Sequence, residues 1–253
     1  MSEFIQVSDE NYIRTVRFNR ADKKNAITQE MYTAMAEAIE SAPDAGMRAI
    51  VFLGQPGVYC AGNDIMDFMS RAMSSDMTAT PTVRFLKALT TSKTPLVAGV
   101  DGVAIGVGVT MLMHCDFVVV SDISSLKTPF LNLGLVPEAA SSLIGPKLMG
   151  HQRAFEMLIM GEAFDGARAK EAGLANRVVS SEDVEASALE AAGKIAALAP
   201  EALRISREFV RGSETDILAR IDEEVLEFAK RLKSDEAREA FTAFMEKRPA
   251  KFG

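Results

Sequence analysis

One carboxylate is set apart by its surroundings. Between Asp122 and Glu156 the only acidic residue is Glu138, which lies in the segment 128–142 (TPFLNLGLVPEAASS). A carboxylate buried without a partner in so apolar a segment is costly, and burial raises its pKa. A carboxyl group whose pKa is close to neutral pH can take up a proton and return it. Glu138 is therefore the first candidate for a catalytic base.

Two glycine-containing turns supply backbone donors. Residues 59–64 (YCAGND) and 101–110 (DGVAIGVGVT) each predict a turn from a strand into a helix, which would expose the N–H groups of Asn63 and Val107. Two such donors aimed at one point form an oxyanion hole, in which the loss of one donor typically costs ~3–4 kcal/mol. The alternative for the second turn is that its glycines only permit close helix–strand packing. Together with Glu138, the turns indicate an enzyme that moves a proton next to a carbonyl group.

Other reactive groups are not arranged for metal or nucleotide chemistry. His114 and His151 are far apart and have no Cys or carboxylate at ligand spacing, so no metal site is predicted. His114 adjoins an apolar segment and is expected to be a hydrogen-bonded core residue. The spacing of Gly102, Gly106 and Gly108 is not G-x-G-x-x-G, and no convincing ribose-binding acid follows. A nucleotide-dependent dehydrogenase is therefore disfavoured.

Composition predicts an ordinary soluble globular protein. The chain has 253 residues, of which 48% are hydrophobic and 25% charged. Its net charge of −7 argues against nonspecific binding to nucleic acids or to anionic membranes. Cys60 and Cys115 are too few for a disulfide framework, no signal peptide is visible, and the longest uncharged run, 102–113, is shorter than a membrane span. We expect a cytoplasmic protein without nucleic-acid or membrane partners.

The predicted elements alternate between strands and helices. The predicted strands are an N-terminal hairpin over 3–8 and 12–18, then 49–53, 95–100 and 117–120; predicted helices begin at Thr28, at Asp64 and near 82. Such alternation implies parallel β–α units. Beyond Ala139 the pattern is almost wholly helical, with one predicted strand at 177–179. A composition shift near 195–200 separates a predicted α/β core, 1–195, from a helical C-terminal region, 196–253.

Five segments resemble the crotonase (enoyl-CoA hydratase/isomerase) superfamily. They are 19–27 (NRADKKNAI), 60–65 (CAGNDI), 102–110 (GVAIGVGVT), 164–174 (FDGARAKEAGL) and 241–248 (FTAFMEKR). The resemblance implies an α/β fold, a crotonase-like spiral of β-β-α units, with a helical C-terminal region used to form a homotrimer or a dimer of trimers. It also implies an acyl-CoA ligand, as in fatty-acid metabolism, whose thioester oxygen lies between the N–H groups of Asn63 and Val107.

The resemblance also implies substrate contacts. In the family, the backbone equivalent to that around Ala61 meets the adenine of coenzyme A, and Lys23 and Lys24 are candidates for its phosphates. The alternative for each lysine is a solvated loop residue. The candidate contacts to the acyl part of the substrate are Ile65, Met66 and Phe130.

Two departures from the family pattern change the expected reaction. Hydratases of this family hold water between two glutamates, and the matching positions here are Thr110 and Phe130. The segment 128–138 (TPFLNLGLVPE) instead resembles the peroxisomal type of delta(3)-delta(2)-enoyl-CoA isomerase, in which the glutamate matching Glu138 is the base. The resemblance therefore implies isomerisation of a 3-enoyl-CoA through a dienolate. No metal and no redox cofactor are expected, because coenzyme A enters as part of the substrate.

Three alternatives stay open. Another reaction of the family, such as weak hydration with Glu138 as the sole acid, would give a 3-hydroxyacyl-CoA from a 2-enoyl-CoA. A protein that only binds acyl-CoA would show no turnover at all. For Glu138 itself, the alternative is a structural carboxylate that caps the helix beginning near Ala139.

Overall fold

A computed structural model of the protein describes residues 2–64, 66–67 and 79–252. The strands are β1 (Ile5–Glu10), β2 (Ile13–Phe18), β3 (Ala49–Leu53), β4 (Val58–Cys60), β5 (Leu96–Val100), β6 (Val103–Ile105), β7 (Phe117–Ser121), β8 (Ser125–Lys127), β9 (Phe164–Asp165) and β10 (Arg177–Val179). The α-helices are α1 (Gln29–Glu40), α2 (Pro81–Thr91), α3 (Val107–Thr110), α4 (Ser141–Met149), α5 (His151–Phe155), α6 (Gly166–Glu171), α7 (Val184–Ala196), α8 (Pro200–Arg211), α9 (Glu214–Leu232) and α10 (Asp235–Met245). These elements form two sheets with helices packed against them.

The larger sheet has six strands in the order β1-β2-β3-β5-β7-β10. β1 and β2 form the predicted hairpin and are antiparallel, and every later pair in this sheet is parallel. Side chains alternate between its faces, so in β3 Ile50 and Phe52 join the main core, whereas Val51 and Leu53 join a smaller cluster that includes residues of α7. Because both faces are covered, the central strands are fully apolar, as the sequence predicted.

The smaller sheet contains four short strands in the order β4-β6-β8-β9. β4, β6 and β8 are parallel, and β9 is antiparallel to β8. These strands were not predicted from the sequence, because they have three residues or two each and are too short to show a period. β3, β5 and β7 are each followed by a short strand, β4, β6 or β8, that pairs in the smaller sheet, which agrees with the predicted spiral of β-β-α units.

The last third of the described chain is mainly helical. Helix α7 packs against β3, β5 and β7 and so covers the larger sheet, whereas α9 contacts α2 and α10 contacts the turn at Leu131–Leu133. The division at 195/196 and the role of the C-terminal region in trimer formation stay predictions. No helix in the described residues is both long and apolar enough to cross a membrane. The helix predicted from Asp64 to Met73 falls largely outside the described residues.

Candidate active site

The ends of three parallel strands meet at one cavity. β4, β6 and β8 are neighbours, so the residues that follow them lie side by side: Ala61–Asn63, Gly106–Val107 and Pro129–Phe130. All of them line a cavity of about 360 Å³. Apolar side chains of the C-terminal helices also line it, among them Phe228 of α9 and Phe241 of α10. The carboxyl edge of a parallel sheet is a common place for a ligand site.

Two backbone donors face this cavity from adjacent turns. Asn63 and Val107 both line it, and neither N–H group donates to an acceptor within the described residues. Val107 is the first residue of α3, so its N–H has no partner inside the helix. The turns approach closely, since a Cβ built on Gly62 would lie 2.9 Å from the carbonyl oxygen of Ile105. Two unpaired donors on neighbouring turns can polarise a carbonyl group bound between them.

Tyr32 fixes the side chain of the first donor residue. Its hydroxyl donates a hydrogen bond of 2.6 Å to Oδ1 of Asn63, and the tyrosine is fully buried on α1. Burial raises the pKa of Tyr32 well above its ordinary value, and the nearby charge of Glu138 raises it further. Tyr32 is therefore a neutral donor that lies near both the oxyanion turn and the predicted base.

Glu138 is buried and has a raised pKa. The residue is 7% exposed, and its Oε1 accepts a 2.5 Å hydrogen bond from Oγ1 of Thr110 in α3. Burial raises the pKa of Glu138 to about 7, the hydrogen bond from Thr110 opposes this rise, and the charge of Glu224 adds to it. At neutral pH the group is therefore near its titration midpoint. The hydrogen bond from Thr110 uses Oε1, and no hydrogen bond to the other oxygen, Oε2, is found within the described residues.

Glu138 is not itself among the residues that line the cavity, but it lies next to that wall. Thr110, its hydrogen-bond partner, is three residues beyond Val107 in the same turn of helix. Leu135, three residues before Glu138, lines the cavity. The carboxylate thus adjoins the donor turns from the side of α3.

The two residues after Glu138 adopt an unusual backbone. Ala139 and Ala140 have φ values of 62° and 53°, although neither is glycine and both are fully buried. Left-handed conformations of this kind cost on the order of 1–3 kcal/mol each and persist where neighbouring groups hold them. Here Nε2 of His114 contacts the carbonyl oxygen of Ala139 at 2.8 Å, and Glu224 accepts from the N–H of Ala140 at 2.6 Å.

This geometry corrects one interpretation of Glu138. Within the described residues its carboxylate does not cap α4, because it accepts from Thr110 and the helix start carries no side-chain cap from its own N-cap residue. Glu224 of α9 satisfies those N–H groups instead, at Ala140 and Ser142. The carboxylate of Glu138 is therefore left for another role.

Comparison with known proteins identifies the family. The sequence model for enoyl-CoA hydratase/isomerase matches residues 8–253. The chain belongs to the enoyl-CoA hydratase/isomerase family. The assignment made from the five sequence segments is thereby confirmed.

Family relatives carry more than one activity in their names. Enoyl-CoA delta isomerase 2 of Rattus norvegicus is 34% identical over 253 residues, covering 98% of this chain; the chain spans 65% of the rat protein, less than two thirds of its length. An enoyl-CoA hydratase/isomerase structure from Pseudoalteromonas atlantica has a TM-score of 0.93 and 37% identity, covering 99% of this chain and 100% of that one. An enoyl-CoA hydratase structure from Mycobacterium marinum has a TM-score of 0.75 and 30% identity, covering 82% of this chain and 98% of that one.

Two of the six predicted contact residues of this enoyl-CoA hydratase/isomerase family member line the cavity. Ala61 and Phe130 line it, and Phe130 is only 5% exposed. Lys23 and Lys24 are exposed and do not line it, but the carbonyl oxygen of Lys24 accepts a 2.9 Å hydrogen bond from the N–H of Ala61. The loop that carries both lysines is therefore held against the first donor turn.

Of the remaining two predicted contacts, only Met66 lies within the described residues. Met66 is 68% exposed and is not among the lining residues. Ile65 lies outside the described residues. Their roles as substrate contacts stay predictions.

Three polar residues near the predicted base were not predicted from the sequence to act there. Tyr32, His114 as an anchor of the turn, and Glu224 come from separate parts of the chain and meet only in the fold. His114 was expected to be a hydrogen-bonded core histidine, and its surroundings agree: burial lowers its pKa to about 4, so the ring is neutral at neutral pH and donates through Nε2. Within the described residues no group of three or more His, Cys, Asp or Glu side chains could hold a metal ion.

Proposed function

We propose that this protein is a delta(3)-delta(2)-enoyl-CoA isomerase that moves the double bond of a 3-enoyl-CoA into conjugation with the thioester. The observation that carries the proposal is the buried carboxylate of Glu138, with a pKa of about 7, beside two turns whose N–H donors are unpaired within the described residues. Membership of the family and the name of the rat relative support an acyl-CoA substrate. A trimeric assembly and a cytoplasmic location belong to the same proposal.

In the proposed reaction the thioester oxygen accepts hydrogen bonds from the N–H groups of Asn63 and Val107. This polarisation acidifies C2, and the ionised Glu138 removes a C2 proton through Oε2. The electron pair of the broken C–H bond enters a dienolate whose negative charge rests on the thioester oxygen. The protonated Glu138 then gives the proton to C4, and the double bond forms between C2 and C3. Because C2 and C4 flank one carbon, a single carboxylate can serve both positions.

The apolar cavity wall supports isomerisation over hydration. A hydratase of this family needs two acids to hold water, and here the matching side chains are a hydroxyl and a phenyl ring, those of Thr110 and Phe130. Phe130 lines the cavity, and Thr110 gives its hydroxyl to Glu138. A dienolate formed in such a place has few water molecules from which to take a proton.

The test is to follow conjugation by absorbance with 3-enoyl-CoA substrates of several chain lengths. We expect the wild-type protein to form 2-enoyl-CoA, and Glu138→Gln to lower kcat by about a thousandfold or more while acyl-CoA binding changes little. Full isomerase activity in Glu138→Gln would show that another group is the base.

A parallel assay with 2-enoyl-CoA separates the alternatives. Formation of 3-hydroxyacyl-CoA at a rate above that of isomerisation would favour hydration, which the names of the hydratase relatives make the second candidate. Binding of acyl-CoA without turnover of either substrate would favour a non-catalytic protein.

A further inference from the structure

A buried glutamate on a distant helix holds the turn that follows the predicted base. Glu224 lies on α9, is 7% exposed, and its carboxylate accepts three hydrogen bonds. The donors are the N–H of Ala140 at 2.6 Å, the N–H of Ser142 at 3.2 Å and the hydroxyl of Ser142 at 2.5 Å. Both oxygens accept hydrogen bonds, so one carboxylate holds the left-handed turn and the start of α4 together. We call this set of hydrogen bonds the clamp.

The clamp acts on a backbone that does not favour its own conformation. Ala139 and Ala140 are consecutive left-handed residues with side chains, and a chain of this sequence relaxes to other conformations unless it is held. His114 holds the carbonyl side of the turn through Ala139, and Glu224 holds the N–H side through Ala140. The turn sets where the preceding residue, Glu138, presents its carboxylate.

We propose that Glu224 is a positioning residue for Glu138, which fixes the strained turn from α9 and keeps the base carboxylate next to the donor turns without touching the substrate. This inference rests on the proposed role of Glu138 as the base. It goes beyond that role because it assigns a function to a residue of α9, in the C-terminal helical region.

The charge of Glu224 also affects the pKa of Glu138, which can be measured independently of the rate. The titratable groups around the pair are Tyr32 and His114, which are neutral at neutral pH, and Arg220, whose guanidinium donates to Oγ of Ser142 at 3.0 Å. Ionised Glu224 raises the pKa of Glu138. Removing that charge makes ionisation of Glu138 easier, so its pKa must fall.

The experiment compares Glu224→Gln with Glu227→Gln. Glu227 is on the same helix, its side chain is 58% exposed, and it pairs only with Lys230 in the described residues. Glutamine at 224 keeps the size and one acceptor oxygen but loses the charge and at least one hydrogen bond. We expect kcat of Glu224→Gln to fall about 10- to 100-fold with KM within about threefold of wild type, because small displacements of a catalytic group have effects of this size. Glu227→Gln should match wild type.

The pKa of Glu138 is measured separately, by a ¹³C NMR titration of labelled glutamate carboxyl groups, with the Glu138 resonance assigned by its loss in Glu138→Gln. We expect a lower pKa in Glu224→Gln and no change in Glu227→Gln. If Glu224→Gln does not fold, Ser142→Ala removes only one of the three hydrogen bonds and should lower kcat in the same direction by a smaller factor.

The outcomes separate this inference from the proposed function. Wild-type kcat in Glu224→Gln, or equal loss of kcat and acyl-CoA affinity without a shift in the pKa of Glu138, would overturn the positioning role while isomerase activity stands. A shifted pKa in a protein whose wild type does not isomerise any 3-enoyl-CoA would support the clamp and overturn the proposed reaction.

Discussion

The donors and the carboxylate of the candidate site are held in place by different kinds of interaction. Asn63 and Val107 present backbone N–H groups at the ends of β4 and β6, so their positions follow from the pairing of two adjacent parallel strands. Glu138 precedes a left-handed turn that is clamped by side chains from elsewhere, His114 and Glu224. The donor half of the site, the N–H groups of Asn63 and Val107, is set by local backbone geometry. The carboxylate half, Glu138, depends on long-range contacts made by polar side chains.

The difference also determines how each half responds to pH. Backbone N–H groups do not titrate, and leaving them unpaired at a cavity costs little while water can reach them. Glu138 carries the electrostatic cost of a buried ionised carboxylate, which appears as a pKa of about 7. The pH dependence of the proposed reaction therefore comes from the carboxylate half. The same half lowers the stability of the folded protein.

After Glu138→Gln, the largest loss of activity is expected from a change in the backbone of the donor turns. Gly62 has φ of +86°, and a Cβ there would lie 2.9 Å from the carbonyl oxygen of Ile105. Gly62→Ala should push the two turns apart, move the N–H of Asn63 and lower kcat with 3-enoyl-CoA by about 10²- to 10³-fold, the effect typical of losing one oxyanion donor.

The matched control for this change is Gly46→Ala. Gly46 has a similar φ of +72°, and a Cβ built there would meet no atom within 4 Å. Gly46→Ala therefore adds the backbone strain of a left-handed alanine without the contact between turns. Urea unfolding of both variants measures that strain. Equal kcat values for the two variants would mean that the geometry of the first turn does not determine the rate.

The next largest effect is expected on stability, from the cost of burying the ionised carboxylate of Glu138. The pKa of Glu138 rises from 4.5 to about 7 in the fold, a difference equivalent to about 3 kcal/mol. Because the folded pKa is the higher one, the folded state binds the extra proton: the cost is absent well below pH 4.5, grows as the pH rises to 7 and is complete above it. Glu138→Gln should therefore be more stable than wild type by about 3 kcal/mol at pH 8.5, with little difference near pH 4.5.

The measurement is urea unfolding of wild type, Glu138→Gln and the surface variant Glu227→Gln at both pH values. Glu227→Gln should show no such dependence because that side chain is exposed. A constant difference between Glu138→Gln and wild type at both values would show that burial of the charge is not what the substitution relieves.

Much of the fold was accessible from the sequence because it depends on local patterns. The apolar runs of β3, β5 and β7 are bounded by polar or glycine-containing segments, and Thr28 caps α1 as predicted by accepting from the N–H of Met31. The strands of the smaller sheet were not predicted, because a segment such as β6, Val103–Ile105, gains its structure from pairing with β4 and β8 rather than from its own three residues.

The site divides in the same way. Asn63 and Val107 follow glycine-containing turns that can be recognised locally, and Glu138 is conspicuous as a lone acid. Glu224 was missed because its contacts to Ala140 and Ser142 cross more than 80 residues of chain. One signal was present: in α9 the buried stripe Ile221, Val225 and Phe228 includes Glu224 among its positions. An acid within the apolar stripe of an amphipathic helix predicts a buried partner, but not which one.

The smallest expected effect comes from a contact between the two parts of the site, the hydrogen bond from Thr110 to Glu138. Thr110 is fully buried on α3, and its hydroxyl lowers the pKa of Glu138 by stabilising the ionised form. Thr110→Val keeps the shape and removes the donor, so the pKa of Glu138 should rise, because a hydrogen bond to a charged group typically contributes about 1.5–3 kcal/mol. Since the base must be ionised, the pH profile of kcat/KM should shift to higher pH, with about a tenfold loss near pH 6 and little change near pH 9. Thr110→Ser, which keeps the hydroxyl, should leave the pH profile in place. An equal loss of kcat/KM at every pH in Thr110→Val would mean that Thr110 positions α3 and its donor turn and does not set the pKa of the base.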